Sequence, residues 1–292
     1  MDIEPYISQP TKCLSWMTSY VSERSQSFRS GDSQTAFFPL FCGVPQGSVL
    51  GPLKFISYIE DVVTIYRRHS MLAHIFADDQ QAATSGYIRD IELMRSKLRN
   101  CITDVMNWSS SRRLQLNPTK TEIIWFGSKA NMAKLESTDL TITFGTAHIE
   151  PAAVIRDLGV MLDSQLTMKA HISLVSRSCF YQLRRLRTIR RCVDQSTMEK
   201  LVQALIISRL DYCNSVLAGL PATTIQQLQR VQNAAARLVH NLRLRDHVTP
   251  SLMNLHWLPM RYRISFKIAT LMYSVYHRTC PEYLTELVTL CS

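Results

Sequence analysis

Apolar positions along the 292-residue chain change their period near residue 165. Upstream, short apolar runs alternate with turn residues and helical stretches. Residues 72–76 and 82–84 flank an Asp-Asp centre and predict a short hairpin. Ile88, Ile91, Met94, Leu98, Ile102 and Val105 recur at helical spacing, with Ser85 placed to cap the helix. A further helix is predicted over residues 53–62. Asn117-Pro118 marks a turn before a strand at 122–126 closed by Gly127, and 140–144 and 154–162 predict two more strands. Downstream the pattern is helical: 168–190, then 195–208. Pro221 opens a third helix with the stripe Ile225, Leu228, Val231, Ala235 and Leu238. Thr249-Pro250 reads as a cap followed by proline in the first turn, and Pro259 precedes a last helix through Tyr276. The expected fold class is α+β, with one domain over 1–165 and an all-helical one over 166–292.

Composition narrows the class. With 46% hydrophobic and 19% charged residues, wholesale disorder is excluded. No run reaches the roughly 18 apolar residues of a membrane span, and the first residues do not read as a signal peptide. The expectation is an intracellular protein, nuclear or cytoplasmic, that is neither secreted nor partnered with a membrane. Eight scattered cysteines without a C-x-x-C pair give zinc-finger and redox readings no support, and buried reduced thiols are expected. Charge strengthens the boundary near 165. Residues 1–165 carry 16 Lys/Arg against 17 Asp/Glu, whereas 166–292 carry 17 against 6, so the whole balance of +10 lies in the helical part. No acidic residue falls between Ser164 and Val193, where Arg177, Arg184, Arg185, Arg187, Arg190 and Arg191 crowd together. Phosphate backbones are the usual partner of such a stretch, and a merely solvated helix face is the plainer alternative.

Two segments carry candidate chemistry. In Gly43-Val44-Pro45-Gln46-Gly47-Ser48-Val49-Leu50-Gly51-Pro52, three of the chain's nine glycines lie within nine residues. Such glycines let backbone approach a ligand, and Gln46 offers an amide to a base or sugar; an ordinary turn opening the next helix is the alternative. In Phe76-Ala77-Asp78-Asp79, adjacent carboxylates repel unless a cation joins them. Mg²⁺ takes one or two carboxylates plus water and phosphates, and paired ions stabilise phosphoryl transfer. An exposed Asp-Asp turn without function is the alternative.

These two segments, followed in order by Leu116-Asn117-Pro118-Thr119-Lys120-Thr121-Glu122 and Asp157-Leu158-Gly159-Val160, resemble successive motifs of reverse transcriptases of non-LTR, LINE-type, jockey-like retrotransposons. Trp16-Met17-Thr18-Ser19-Tyr20, Leu210-Asp211-Tyr212-Cys213-Asn214 and His256-Trp257-Leu258-Pro259 are also similar to that family. The resemblance implies a partial right-hand polymerase palm, an antiparallel sheet with helices, followed by an all-helical thumb-like domain. It implies that Gly43, Pro45, Gln46 and Gly47 contact template and incoming nucleotide. Asp78 and Asp79 would be the catalytic, metal-binding pair, with Mg²⁺ or Mn²⁺ as cofactor. Lys120 would be a general acid near the leaving pyrophosphate, and Leu158, Gly159 and Val160 the primer grip. Arg177, Arg184, Arg185, Arg187, Arg190 and Arg191 would meet the nucleic-acid backbone. The partners implied are an RNA template, a DNA primer or hybrid duplex, and dNTP. Phe76 stands where the family has Tyr, and Lys54 where it has an apolar residue.

One family element has no counterpart. The acids before Gly43 are Asp2, Glu4, Glu23 and Asp32, and none lies in a D-x-x-x-A-F-D strand that would carry a further metal-binding aspartate. Fingers and an endonuclease domain also have no match. The expectation is a C-terminal portion of an RNA-directed DNA polymerase that is inactive alone, with marginal stability for 1–165. The alternatives are a non-catalytic RNA or hybrid-duplex binder and a helical protein-interaction bundle.

Overall fold

The computed structural model describes residues 10–41, 43–45, 47–145 and 147–289. They are mixed α and β, with small antiparallel strand pairs, and fall into two compact units. One is Met1–Leu116 with Ile142–Thr146, and the other Asn117–Thr141 with Ala147–Ser292. Residue 165 is where strands give way to helices inside the second unit.

The first unit opens with α1 (Pro10–Val21) and four short strands, β1 (Arg24–Gln26), β2 (Arg29–Ser30), β3 (Ser33–Gln34) and β4 (Phe38–Leu40). The β2–β3 pair nests inside β1–β4, both antiparallel. Apart from the Phe-Pro-Leu of β4 these strands are polar, and all four are mostly exposed, so no alternation announces them. Then come α2 (Gly51–Ile59), α3 (Val62–Arg68), β5 (Leu72–Phe76), β6 (Asp79–Ala83), α4 (Ile91–Ser111) and β7 (Ile142–Phe144). The core is small: Val62, Ile65 and Tyr66 of α3 meet Met71 and the Cys101 and Val105 face of α4, with Ala73 and Ile75 of β5 packed against it.

Helix α4 begins later than its apolar repeat predicts. Ser85 does not cap it; Ile88–Asp90 form a 3₁₀ turn, and Asp90 precedes the helix without a side-chain cap. The Lys97 ammonium donates to Ser70 O at 2.8 Å and Thr84 Oγ1 at 3.1 Å, tying α4 to the ends of both strands. Gly86 fits because a Cβ there would lie 2.9 Å from Met94 Sδ.

The second unit contains α5 (Lys129–Leu135), β8 (Ala147–Ile149), β9 (Val154–Asp157) and β10 (Val160–Asp163). Helices α6 (Lys169–Ile189), α7 (Gln195–Val202), α8 (Ser208–Asp211), α9 (Ala222–Val239), α10 (Thr249–Asn254), α11 (Met260–Tyr276) and α12 (Glu282–Glu286) follow. Residues 122–126, expected as a strand, form only isolated bonds: Ala152 N–H donates to Ile123 O, and Gly127 N–H to Ser164 O. The run 154–162 is two strands, because Leu158 and Gly159 both adopt positive φ and reverse the chain. Thr249 lies inside α10 rather than capping it, and α12 follows the helix expected to be last.

Burial concentrates in this unit. Ile172, Ser176, Cys179, Leu183 and Leu186 alternate by four and three along α6 and pack on α9, whose buried face includes Leu228, Val231, Ala235 and Val239. Between α7 and α8, a π-helical turn at Gln203–Ile207 adds a residue, so the neighbours Ile206 and Ile207 are both buried. Val160 joins the same core, which anchors the β9–β10 hairpin on α6. Of the described cysteines only Cys101 and Cys179 are buried; Cys192 is exposed, contrary to expectation. Burial pushes the Cys101 and Cys179 thiols up to about 11.

Several buried polar groups of this unit are paired across elements. Gln232, fully buried, donates to Leu258 O at 2.8 Å and accepts from Gln229, whose own carbonyl accepts from Met260 N–H at 2.8 Å. These amides hold the chain around Pro259 where α11 starts. Arg263 grips Asp211 through two hydrogen bonds, the Nε one 2.7 Å long. Asp163 ends β10 and accepts from the N–H groups of Gln165, Thr167 and Met168 and from the Thr167 hydroxyl. Burial alone raises its pKa, but those donors together outweigh burial and hold it below the ordinary value. They also hold Leu166 and Met168 in left-handed conformations that enter α6.

Truncating the centre of the α6 face, Leu183→Ala, is expected to destabilise the chain by about 3 kcal/mol in urea unfolding. The lowered Asp163 pKa stabilises the fold above the unfolded value of about 4, and that stability is lost as pH falls through the folded pKa. The stability gap between the chain and Asp163→Asn should therefore be full at neutral pH and close in acid. A gap that widened on acidification would contradict this.

Candidate functional site

Strand β5 alternates: Ala73 and Ile75 face the small core, while Leu72, His74 and Phe76 are exposed. Phe76 pairs with Asp79 across the hairpin, leaving Ala77 and Asp78 as its two-residue turn. Ala77 takes φ of +55°, the left-handed value such a turn requires. Asp78 and Asp79 are thereby both exposed, and neither carboxylate has a hydrogen bond or ion pair among the described residues. The hairpin is held from its buried side. Tyr66 donates its hydroxyl to Gln80 Oε1 at 2.8 Å, and burial first, then Cys101, pushes that phenol up to about 12, so it remains a donor. His69 reaches Asp104 at 2.7 Å.

Two adjacent unpaired carboxylates are a suitable donor set for one Mg²⁺ completed by water and phosphate oxygens. Among the described residues no group of three or more His, Cys, Asp or Glu comes together to cage a metal.

The Gly-rich segment belongs to the same unit. Gly43 and Gly47 have φ of +78° and +80°, and a Cβ on either would meet nothing, so backbone conformation is what requires glycine there. Gly51 is different: a Cβ would lie 3.0 Å from Ser48 Oγ and 3.5 Å from Pro45 O. Ser48 Oγ accepts from Gly51 N–H and lies 2.5 Å from the Tyr20 hydroxyl, while Arg24 donates to Gly43 O at 2.5 Å. Pro45 accepts Ser48 N–H on its carbonyl. Gln46 lies outside the described residues.

Lys120 lies in the second unit, exposed at the end of a 3₁₀ turn, Pro118–Lys120, that Asn117 caps through Thr119 N–H at 3.0 Å. In the same unit the Leu158–Gly159 turn points its carbonyl at Tyr212, whose hydroxyl donates to Leu158 O at 2.5 Å. A Cβ on Gly159 would lie 3.3 Å from that ring. Val160 is buried and Leu158 exposed. Sequence reasoning singled out Leu210-Asp211-Tyr212-Cys213-Asn214 but assigned it no task. Asp211 holds Arg263, Asn214 donates to Asp211, and Tyr212 buttresses the turn.

The arginine cluster divides by helix face. Arg177, Arg184 and Arg185 lie opposite the buried stripe of α6, and Arg185 stacks over Tyr181 at 5.9 Å from its centroid. Arg209, absent from the sequence-based set, donates to Ser178 Oγ from a neighbouring helix. Arg190 turns inward: its guanidinium donates to Leu238 O, Val239 O and Val193 O, capping the end of α9. Arg187 and Arg191 flank it and are exposed.

No helix among the described residues is long and apolar enough to cross a membrane. The family model for reverse transcriptase (RNA-dependent DNA polymerase) matches residues 2–162. The chain is 26% identical over 242 residues to the probable RNA-directed DNA polymerase from transposon BS of Drosophila melanogaster, covering 76% of this chain and 25% of that protein. It is 23% identical over 165 residues to the RNA-directed DNA polymerase from mobile element jockey of the same organism, covering 55% and 17%. A third, the probable RNA-directed DNA polymerase from transposon X-element, is 24% identical and covers 79% and 25%. The chain thus spans a quarter or less of the length of the curated relatives it matches. Because that family model covers more than half of the chain, the chain belongs to the reverse transcriptase family and is similar to its jockey-like, non-LTR retrotransposon members.

Proposed function

We propose that this chain is the part of a reverse transcriptase that forms one wall of the polymerising centre and grips template and primer. Residues 1–165 are read as palm-like and 166–292 as a thumb-like helical part. The observation that carries the reading is the Asp78-Asp79 turn, two exposed carboxylates without a partner among the described residues, on a hairpin tied down by Tyr66 and Lys97. Asp78 and Asp79 would hold Mg²⁺ or Mn²⁺, which when bound neutralises charge on the oxygens of the transferring phosphoryl group.

The chain's own groups do the positioning. The Gly43, Pro45, Gln46 and Gly47 loop offers backbone to an incoming dNTP and the RNA template. The Leu158–Val160 turn, stiffened by Tyr212, lies against the DNA primer, and Lys120 hands a proton to the leaving pyrophosphate. Arg177, Arg184 and Arg185 meet phosphates of the hybrid duplex, with Arg187 and Arg191 beyond them, while Arg190 acts through packing. The exposed Leu72 and Phe76 face of β5, at 62% and 69%, fits a hairpin that belongs to a larger sheet.

A second reading, a retrotransposon-derived RNA or hybrid-duplex binder without turnover, is favoured by the absence of a third carboxylate beside Asp78 and Asp79 among the described residues. Both readings expect binding, and turnover separates them.

The chain alone is expected to give no processive dNTP incorporation on an RNA template with a DNA primer and Mg²⁺. Extension abolished by Asp78→Ala would establish the enzyme and reject the non-catalytic reading. Binding of the same hybrid should weaken with salt. Replacing Arg177, Arg184 and Arg185 with Gln should reduce the slope of log K against log[salt] by roughly 2 to 3, at about 0.9 per phosphate contact. An unchanged slope would remove the duplex from that helix face.

A further inference from the structure

At the end of α6, apart from the outward arginine face, the second unit has a cavity of 620 Å³ between the C-terminal turns of α6 and α9 and the loop after α9. That size lies within the roughly 300–1,000 Å³ usual for small-ligand sites. Arg187, Arg190, Arg191 and Arg237 line it, and no carboxylate does. Two helix C-termini converge here, and their partial negative charges by themselves disfavour an anion. Arg190 offsets this by donating to Leu238 O and Val239 O, so the remaining arginines set the sign. Arg187 and Arg191 form no ion pair among the described residues. Arg237 has only a 3.4 Å contact to Asp246 O, and its Nε is buried without a partner. An incompletely satisfied guanidinium on a cavity wall is a group that an anionic ligand completes.

The rest of the lining is not what a bare phosphate needs. Leu238 and Leu242 give the cavity an apolar side, and Leu244 stands on it 91% exposed. Asn241 ends α9 with φ of +52° while Leu242 N–H returns to Arg237 O. Glycine is the usual residue at that position, so an exposed asparagine adds an amide that can both donate and accept.

We propose that this cavity takes one unstacked nucleotide of a single-stranded nucleic acid. Arg187, Arg191 and Arg237 hold its flanking phosphates, Leu242 and Leu244 pack on its base, and the Asn241 amide reads the base edge. Only a splayed base enters, so the site selects single strand over duplex. The assignment rests on the nucleic-acid reading above but concerns a surface distinct from the hairpins and from the Arg177, Arg184 and Arg185 face.

The test is fluorescence anisotropy on the full chain with a labelled ten-nucleotide oligouridylate and a blunt RNA duplex. Asn241→Gly keeps the left-handed turn and removes the amide; Leu244→Ser removes the apolar contact at an exposed position. Each should weaken single-strand binding by about five- to tenfold and duplex binding by less than about twofold. Arg187→Gln with Arg191→Gln should lower the single-strand salt slope by about 1.4, at roughly 0.7 per phosphate. Equal losses on both probes, or none on the single strand, would overturn the pocket. If the Arg177, Arg184 and Arg185 variant loses duplex affinity while the pocket variants change nothing, the pocket fails and the general reading stands. If the chain binds neither probe, both fail. Displacement of the oligonucleotide by micromolar uridine monophosphate would reassign the cavity to a free nucleotide and overturn the strand-borne assignment.

Discussion

Helix α6 can bury only one face, and most of the second unit follows from that constraint. Ile172, Cys179, Leu183 and Leu186 face α9, so Arg177, Arg184 and Arg185 must face outward. Arg190, one repeat beyond Leu186, continues the buried stripe rather than the charged one. A guanidinium there is tolerable because three backbone carbonyls receive it, and those at the end of α9 would otherwise lack donors. The same helix anchors the β9–β10 hairpin through Val160, and Asp163 fixes the angle at which the chain enters it. A two-residue turn has no core of its own, so its position depends on such backing.

The Asp78-Asp79 turn obeys a different constraint. Adjacent carboxylates cannot be buried together without a cation, and here both remain in solvent, at the tip of a hairpin whose other side is packed. Its solvent side carries Leu72 and Phe76, an apolar pair on a two-stranded sheet. The first unit thus combines a thin core with an uncovered apolar strand face, whereas the second buries a long continuous stripe.

Where the chain could be read directly, the physics was local. The Leu72–Phe76 strand, the Asp-Asp turn, the α9 stripe and the helix after Pro259 all follow from period and punctuation. The four strands between Arg24 and Leu40 could not be read, because each is only two or three residues long and their pairing is backbone to backbone. Ser85 failed as a cap because a 3₁₀ turn, Ile88–Asp90, intervenes before the helix begins at Ile91. The 154–162 run looked continuous because its turn needs only Leu158 and Gly159, and a leucine at positive φ leaves no signal.

By itself the sequence determined the family, the order of the motifs and the charge split, since each depends on residue identity and spacing alone. Only the tertiary structure decided which arginines face solvent, that Tyr212 supports Leu158, that Asp211 belongs to Arg263, and that Arg237 and Asn241 meet across a cavity with Arg187. Charge is a property of the residue. Its availability depends on which neighbours burial brings within a hydrogen bond, and those neighbours are many residues away along the chain.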